Sequence, residues 1–361
     1  MALWSMNCFK NNRVTTRDSG IELLRIIAAL AVIVLHYNDG RAFVFAKGTF
    51  NYHILILLES LSIGAVDIFI MISGFFLCTK NERNIRKSFS LLLQLILFQQ
   101  AYFFLSLIIG NHGFDLNLFI KGFFPTNYFV TLYIVLYFVS PYINRIFRNM
   151  SREGWNSFLI IAFCFFSIYP ITVDVINELT GEKWFGLSPI GAWGSQQGFT
   201  IVNFILAYCL GAAVRFSDIS SIRGSKCFLI MMCCSLLIIF IWAEINEKMS
   251  LNGLRSAWCY HNPFVLIFSV SCLVFFLRMK FKNTIINELS KAAFTCYLFH
   301  PYCLYYMQIG RFVRSSPVIM CCHLLGSVIL VFLLSWIVFK LYSFVVEPLL
   351  NRISKNISYP E

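Results

Sequence analysis

The chain has 361 residues, of which 58% are hydrophobic, 17% aromatic and only 13% charged. Soluble domains average about 45–50% apolar and about 25% charged residues. With a mean hydropathy of +0.73, this chain has too few polar residues to cover a water-facing surface. The composition excludes a soluble enzyme, a disordered chain and a secreted disulfide-rich scaffold, and it predicts a polytopic membrane protein.

The net charge and the cysteines exclude two further classes. The formal net charge is +12, but the basic residues form no continuous stripe of the kind that nucleic-acid binding needs. Basic loops that orient membrane helices are the better interpretation. Most of the 13 Cys residues lie within apolar runs without CxxC spacing. We therefore expect them to be small buried hydrophobic side chains, and we expect no metal site.

Apolar segments long enough to cross a hydrocarbon core of about 30 Å predict an all-α fold of about ten transmembrane helices. The segments are 20–38, 57–79, 89–109, 128–146, 156–173, 199–215, 227–243, 258–278, 289–309 and 317–342. We place one membrane domain at 19–348, between polar tails at 1–18 and 349–361. With a cytoplasmic N-terminus, eighteen Lys and Arg residues fall in cytoplasmic segments and eight in outer ones. Both termini are therefore predicted to be cytoplasmic.

The first predicted span holds three ionisable residues, which are costly at membrane depth. Arg25 and His36 lie eleven residues apart. At 100° per residue this separation is within about 20° of three full turns, so both residues share one helix face, about 16 Å apart in rise. Glu22 can pair with Arg25 on that face. The pattern predicts a common water-accessible channel. The alternatives are an Arg25 that reaches the headgroups and an interfacial His36.

The second predicted span adds a carboxylate, and the segment that follows it adds an arginine pair. Asp67 is surrounded by apolar sequence, so it needs a partner, which we expect to be a His or Arg on a neighbouring helix. Arg83 and Arg86 lie one helical turn apart at the predicted cytoplasmic face. They could clamp phosphate oxygens, although sequence alone slightly favours ordinary cytoplasmic charge.

Two late residues complete the candidate set. His300 lies near the middle of the ninth span, beside Pro301, and Glu347 ends the last predicted helix just before Pro348. A capping or interfacial role is the alternative for Glu347. The other four histidines are in or near outer loops or helix ends, and we interpret them as structural: His53, His112, His261 and His323.

Taken in order, these residues resemble acyltransferase family 3, the integral membrane acyltransferases that mostly modify bacterial surface glycans. The resemblance covers essentially the whole chain. Its motifs are Arg25 and His36 with ten residues between them, Val66-Asp-Ile-Phe69 with Ser73-Gly-Phe75, Arg83-Asn-Ile-Arg86, Tyr128-Phe-Val-Thr-Leu-Tyr133, Ser140-Pro-Tyr-Ile-Asn144, Thr295-Cys-Tyr-Leu-Phe-His-Pro301 and Val346-Glu-Pro348.

The chain departs from the family pattern in places. Glu22 stands where many members have Asp, and Tyr128 stands where a Trp often opens the aromatic span. The latter change puts a proposed acceptor contact in doubt. Several members also carry a fused extracytoplasmic esterase-like domain, which is not expected here. Transfer to the acceptor would then be completed within the membrane domain or by a separate partner.

The resemblance implies acyl transfer, usually of acetyl, from cytoplasmic acetyl-CoA to a sugar hydroxyl at a bacterial inner membrane. A hydroxyl needs a base near neutral pH, and histidine is suited to that task. His36 would deprotonate the acceptor or carry the acetyl group as a covalent relay. Arg25 would polarise the thioester or hold part of the cofactor, with Glu22 orienting it. Arg83 and Arg86 would bind CoA phosphates.

The remaining expectations concern support, partners and rival functions. Asp67, His300 and Glu347 would tune the imidazole or position the acceptor. The implied partners are a glycan or lipid-linked sugar (O-antigen, capsule or exopolysaccharide), the lipid bilayer and envelope-glycan assembly proteins. The main rival is a multi-pass transporter of a small solute or lipid-linked intermediate, although no paired repeat of broken helices is evident. A purely structural membrane protein is a second rival. A glycosyltransferase is disfavoured because no acidic metal-binding motif is evident.

Overall fold

Helices account for all of the regular structure in the part of the chain that the computed structural model describes, which confirms the all-α prediction. That part comprises residues 18–110, 113–182, 186–192, 194–217, 225–249 and 256–355. A helix satisfies its own backbone N–H and C=O groups, so it suits a chain surrounded by hydrocarbon. The α-helices of five or more residues are α1 Ser19–Tyr37, α2 Phe50–Ser62, α3 Ala65–Leu77, α4 Ile85–Ile109, α5 Leu116–Lys121, α6 Tyr128–Asn149, α7 Arg152–Phe163, α8 Tyr169–Thr180, α9 Ile201–Phe216, α10 Ser225–Lys248, α11 Pro263–Arg278, α12 Thr284–Leu289, α13 Ala293–Tyr306, α14 Ile309–Val313 and α15 Pro317–Lys355.

Eight helical segments of the described chain are long and apolar enough to cross a membrane, and they match eight of the ten predicted spans. One of them, Phe50–Leu77, consists of α2 and α3, which meet at a break at Ile63 and Gly64. The sixth and ninth predicted spans coincide with the shorter helices α9 and α13, of 16 and 14 residues. These rise only about 24 Å and 21 Å. The architecture is that of a multi-pass membrane protein.

Helix α1 contacts five long helices of the bundle, α2, α3, α11, α13 and α15. It begins at Asp18, whose Oδ1 accepts a hydrogen bond from the Gly20 N–H at 3.0 Å. Such a cap satisfies one of the free donors of a first helical turn. A Cβ at Gly20 would lie 2.3 Å from the Phe276 carbonyl oxygen, so glycine lets α1 and α11 approach closely. The helix that carries three of the predicted site residues is thus held firmly.

Helices α3 and α9 cross at two glycines. A Cβ at Gly74 would lie 2.2 Å from the Tyr208 carbonyl oxygen, and one at Gly211 would lie 2.1 Å from the Met71 carbonyl oxygen. Small residues at a crossing allow two helix backbones to touch, which is a common basis of packing in membranes. The crossing fixes α9 against the helix that carries the buried aspartate.

The two ends of the bundle differ in charge. We call the end where α1 begins the Arg25 end and the opposite one the His36 end. The described basic side chains at the Arg25 end, besides Arg25, are Lys80, Arg83, Arg86, Lys87, Arg145, Arg148, Arg152, Arg215, Lys226, Arg278, Lys280, Lys282, Lys291 and Lys340. Those at the His36 end are Lys47, Lys121, Lys248, Arg311 and Arg314.

Glu288 ties two of these lysines together at the Arg25 end. Its carboxylate accepts a hydrogen bond from Lys291 at 2.6 Å and another from Lys340 of α15. These hydrogen bonds lower the pKa of Glu288 from 4.5 to about 2, since they favour the charged carboxylate. The short helix α12 is thereby linked to the last helix.

Candidate active site

Two predicted site residues meet where α1 and α13 pack. The ring centroids of His36 and His300 are 4.5 Å apart, and the ring planes are tilted by 44°. His300 is buried, and its Nδ1 lies 3.0 Å from the Cys296 carbonyl oxygen. A carbonyl only accepts hydrogen bonds, so in the neutral ring Nδ1 carries the proton. The Nε2 atom then keeps a lone pair, and it has no hydrogen-bond partner among the described residues.

A cavity of about 200 Å³ opens beside His36, whose imidazole is exposed. Trp258 stacks on Phe43 with ring centroids 5.6 Å apart. Phe199 packs edge-on against two tyrosines of the wall. The cavity is therefore mainly aromatic, with a few groups that can form hydrogen bonds. The aromatic and polar residues of its wall, besides His36, are Phe43, Tyr128, Phe199, Trp258, Tyr260, Tyr297, Asp39, Glu59 and Gln197.

A strained turn brings Gln197 to this cavity. Gln196 and Gln197 have φ values of 53° and 55°, and Gly198 follows with a φ of 85°. Side chains other than glycine adopt this left-handed region at a cost, and such residues cluster at functional sites. A Cβ at Gly198 would lie 2.8 Å from the His261 backbone nitrogen. The Tyr260 N–H donates to the Gln197 carbonyl oxygen at 3.0 Å, which holds the turn in place.

Glu59, Gln197 and Trp258 are among the cavity residues that the sequence analysis missed. Glu59 lies in an apolar run within the second span, so the criterion that selected Asp67 could also have selected it. Its Oε2 accepts a hydrogen bond from Asn38 Nδ2 at 3.0 Å. No local signal marks Gln197 or Trp258, because only the packing of separate loops brings them to His36.

The Arg25 end of α1 holds the ion pair that the spacing predicted. Arg25 Nη1 lies 2.6 Å from Glu22 Oε1, and Glu22 Oε2 accepts a hydrogen bond from Ser290 Oγ at 2.5 Å. The Arg25 guanidinium also lies 5.5 Å from the centroid of the Phe76 ring. Glu22 is buried, whereas the Arg25 side chain is 30% exposed. Glu22 thus orients a cation that a ligand can still reach.

The cavity beside His36 meets only one end of the helix face that Arg25 and His36 share. Only the last two turns of α1 line the cavity. Beyond the cavity wall, the Phe129 ring lies 4.8 Å from that of Tyr297 and 5.9 Å from that of Tyr133. Tyr133 in turn is close enough to Arg25 to interact with it electrostatically. The three rings of Tyr297, Phe129 and Tyr133 therefore connect the cavity wall with the surroundings of Arg25.

Asp67 has a different partner from the one predicted. Its Oδ1 accepts a hydrogen bond from Asn203 Nδ2 at 3.1 Å, and its Oδ2 has no hydrogen-bond partner among the described residues. Both side chains are buried. The expectation of a His or Arg partner is wrong. A neutral amide from α9 satisfies one carboxylate oxygen without bringing a second charge into the interior.

The two arginines of the predicted phosphate clamp have different surroundings, because Arg83 precedes α4 and Arg86 lies in its first turn. The Arg83 guanidinium donates to Ser140 Oγ at 2.6 Å, to the Tyr137 carbonyl at 3.0 Å and to the Leu77 carbonyl at 3.4 Å. It thereby caps the end of α3 and joins that helix to α6. Arg86 is exposed at the start of α4. The Arg83 guanidinium thus donates to protein oxygens, and Arg86 is the more exposed of the two cations.

Glu347 is not brought to the histidine pair. It is exposed on α15, which continues through Pro348 to Lys355, so the prediction that Glu347 ends the last helix is wrong. A proline inside a helix removes one backbone hydrogen bond, and helices of membrane proteins tolerate this loss. The helix also crosses the predicted domain boundary at residue 348. Glu347 lies at the Arg25 end, on the far side of the bundle from His36.

Two of the other histidines have ordinary packing partners. His53 Nδ1 lies 2.8 Å from the Glu244 carboxylate. His323 Nδ1 forms a hydrogen bond with the Tyr37 hydroxyl at 2.8 Å. These contacts agree with the interpretation of both residues as structural. His112 lies outside the described residues.

Comparison with known proteins gives one match. The family model for the acyltransferase domain of acyltransferase family 3 matches residues 18–340. Searches among curated proteins and among solved structures give no match.

Proposed function

The chain belongs to acyltransferase family 3, and from this premise we propose that it is a membrane O-acyltransferase that moves an acetyl group from cytoplasmic acetyl-CoA to a hydroxyl of a cell-surface glycan. The observation that carries the proposal is the contact between His36 and His300 at a cavity with aromatic and carboxylate walls. There the exposed imidazole of His36, which a substrate can reach, lies beside the imidazole of His300, whose Nε2 has an unused lone pair.

The pair suits general-base catalysis. His36 takes the proton of the acceptor hydroxyl while the oxygen attacks the thioester carbonyl, and the CoA thiolate leaves and is protonated. The imidazolium that forms on His36 donates a hydrogen bond to the unprotonated Nε2 of His300. The Cys296 carbonyl fixes the tautomer of His300 that makes this contact productive.

A covalent route uses the same residue. His36 attacks the thioester, CoA leaves, and the sugar hydroxyl then takes the acetyl group from the acetyl-imidazole. Incubating the purified protein with acetyl-CoA and no acceptor separates the two routes. Acetyl on His36, found by mass spectrometry after rapid quenching, supports the relay. If a parallel reaction with acceptor yields acetylated product in the same time, the absence of acetyl on His36 supports direct transfer.

The donor is expected to enter from the Arg25 end. Arg25, which Glu22 orients and a ligand can reach, polarises the thioester or binds part of the cofactor. The exposed Arg86 and Arg215, whose guanidinium lies 5.0 Å from the centroid of the Phe75 ring, are the candidates for CoA phosphates. Arg83 is a weaker candidate for binding CoA phosphates, because its guanidinium donates to protein oxygens.

The acceptor is expected to be one sugar ring in the cavity beside His36. Aromatic faces such as Trp258 and Tyr260 can stack on its C–H face. Asp39, Glu59 and Gln197 can bind its hydroxyls. The volume of about 200 Å³ is below the about 300–1,000 Å³ typical of pockets for drug-sized ligands. This size favours a single terminal residue of a glycan or of a lipid-linked sugar.

The charge distribution favours a cytoplasmic Arg25 end, because basic residues concentrate on the cytoplasmic side of membrane proteins. We therefore place both termini in the cytoplasm and the His36 cavity at the outer face of a bacterial inner membrane. In this position the enzyme would work with the proteins that assemble envelope glycans.

The test measures ester-linked acetyl on the surface polysaccharide of the native host. Strains carry the intact gene, no gene, the His36→Ala protein or the His53→Ala protein, each checked for its amount in the membrane. His53 is a matched control because it lies at the same end but pairs with Glu244, away from the cavity. Mass spectrometry before and after mild alkali reports the acetyl esters.

We expect alkali-labile acetyl with the intact and His53→Ala proteins only. The same variants are purified and assayed for CoA release from acetyl-CoA, with and without extracted glycan. Identical glycans in all strains, together with no acetyl-CoA consumption by the purified protein, would refute the proposal and favour transport.

A further inference from the structure

Three side chains of metal-ligand type meet at the His36 end, outside the machinery described above. Asp174 lies on α8, and Cys259 and His261 lie in the segment that precedes α11. One ligand atom from each residue lies within 4.8 Å of the other two. Cys259 and His261 are buried, and the Asp174 side chain is 16% exposed. The proposed acyl transfer uses none of the three.

Hydrogen bonds do not explain why His261 is buried. It has no exposed surface, yet neither of its ring nitrogens has a hydrogen-bond partner among the described residues. A buried polar group without a partner is costly. Its Nε2 lies 3.4 Å from Asp174 Oδ2, so the ring faces the cluster. A ligand between these atoms would satisfy it.

The spacing and the donor types fit one kind of ion. Zinc bonds to histidine nitrogen at about 2.0–2.1 Å and to carboxylate oxygen at about 2.0–2.2 Å, so tetrahedral angles place these two ligand atoms about 3.3–3.5 Å apart. The observed separation of 3.4 Å between His261 Nε2 and Asp174 Oδ2 agrees with this distance. A thiolate and a carboxylate together also neutralise a divalent cation, which suits a buried site. We propose that Asp174, Cys259 and His261 bind Zn²⁺, with a water molecule as the fourth ligand.

The surroundings hold these ligands in position. The Asp174 carboxylate accepts hydrogen bonds from the Ser195 N–H at 3.3 Å and from the Ser195 hydroxyl. The His261 carbonyl accepts one from Ser167 Oγ at 2.6 Å. Such outer contacts are typical of metal sites, where they orient the ligands.

The zinc site would fix the outer wall of the His36 cavity. Tyr260 lies between two of the ligands in the chain and belongs to that wall. Ser195, which orients Asp174, immediately precedes the strained turn that carries Gln197. The ion would therefore tie α8, this turn and the segment before α11 into one unit. Metal binding itself does not depend on the identity of the acceptor.

The experiment uses the full chain, purified in lipid nanodiscs with an affinity tag that contains no histidine. Elemental analysis after dialysis gives the zinc content, and Co²⁺ replacement gives the near-ultraviolet charge-transfer band of a Co²⁺–thiolate bond. The ligand variants are Cys259→Ser and His261→Gln. The control is Cys209→Ser, which changes another buried cysteine.

We expect about one zinc per chain in the intact and control proteins, at least a tenfold lower content in the ligand variants, and the Co²⁺–thiolate band only where Cys259 is present. A second measurement needs no variant: removing zinc with a chelator should raise alkylation of Cys259, but not of Cys209, by at least tenfold. No zinc above background, or zinc and a thiolate band that persist in both ligand variants, would overturn the proposal. So would Cys259 alkylation that the chelator leaves unchanged.

Discussion

Replacing Gly74 by alanine tests how tightly α3 and α9 cross. The new Cβ would lie 2.2 Å from the Tyr208 carbonyl oxygen, whereas carbon and oxygen normally approach to about 3.3–3.6 Å. The helices would have to separate by roughly 1 Å to accept it. Overpacking of this kind costs about 1–3 kcal/mol, more than the about 0.5–1 kcal/mol that alanine gains over glycine within a helix. We expect a net loss of about 1–2 kcal/mol.

The assay follows unfolding in mixed micelles as the fraction of denaturing detergent rises. Gly326→Ala is the matched control, because this glycine also lies inside a helix but nothing stands within 4 Å of its new Cβ. We expect the control to be as stable as the intact protein or slightly more stable, and Gly74→Ala to unfold at a lower detergent fraction. If Gly74→Ala matches Gly326→Ala in stability, the close crossing inferred from the backbone distance is refuted.

Three further predictions concern the site and the Arg25 end. His300→Phe keeps an aromatic ring but removes both nitrogens. It should therefore lower kcat by about 10²-fold and leave the KM for acetyl-CoA unchanged. An unchanged kcat would exclude a role for His300 in the chemistry. Arg83→Ala should reduce thermal stability with little effect on the KM for acetyl-CoA, whereas Arg86→Ala should raise that KM and leave stability unchanged. The lowered pKa of Glu288 means that its ion pairs stabilise the fold above its ordinary pKa of 4.5 and that this contribution is lost as the pH falls towards about 2. Thermal unfolding of Glu288→Gln should therefore show a weaker loss of stability over that pH range than the intact protein, and parallel curves would contradict the assignment.

Much of the Arg25 end could be predicted from the sequence, because the relations there are local. The eleven-residue separation of Arg25 and His36 places both on one face of α1 by helical geometry alone. The pairing of Glu22 with Arg25 follows from a spacing of three residues, and the structure confirms it. The number of long apolar segments likewise indicated a multi-pass membrane protein. Such properties depend on neighbours along one helix, which a sequence displays directly.

The partners of each site residue were decided only by the tertiary structure. His300 and the Asn203 partner of Asp67 reach their places across helix–helix contacts that no periodicity within one segment encodes. The same holds for Arg83, whose role as a cap of α3 depends on where Tyr137 and Ser140 of α6 lie. The prediction that Arg83 and Arg86 lie one helical turn apart is wrong, because Arg83 precedes α4, whose N-cap is Asn84. Spacing also does not show which groups of a neighbouring helix will accept hydrogen bonds from a guanidinium.

The sequence by itself determined the class of the protein, its helices and the face of α1 that carries Glu22, Arg25 and His36, because hydropathy and helical period act over a few turns. Only the tertiary structure decided that His36 meets His300, that aromatic rings connect the cavity wall with the surroundings of Arg25, and that Asp174 lies beside His261. These contacts join residues far apart in the chain, and their geometry depends on how whole helices pack against one another.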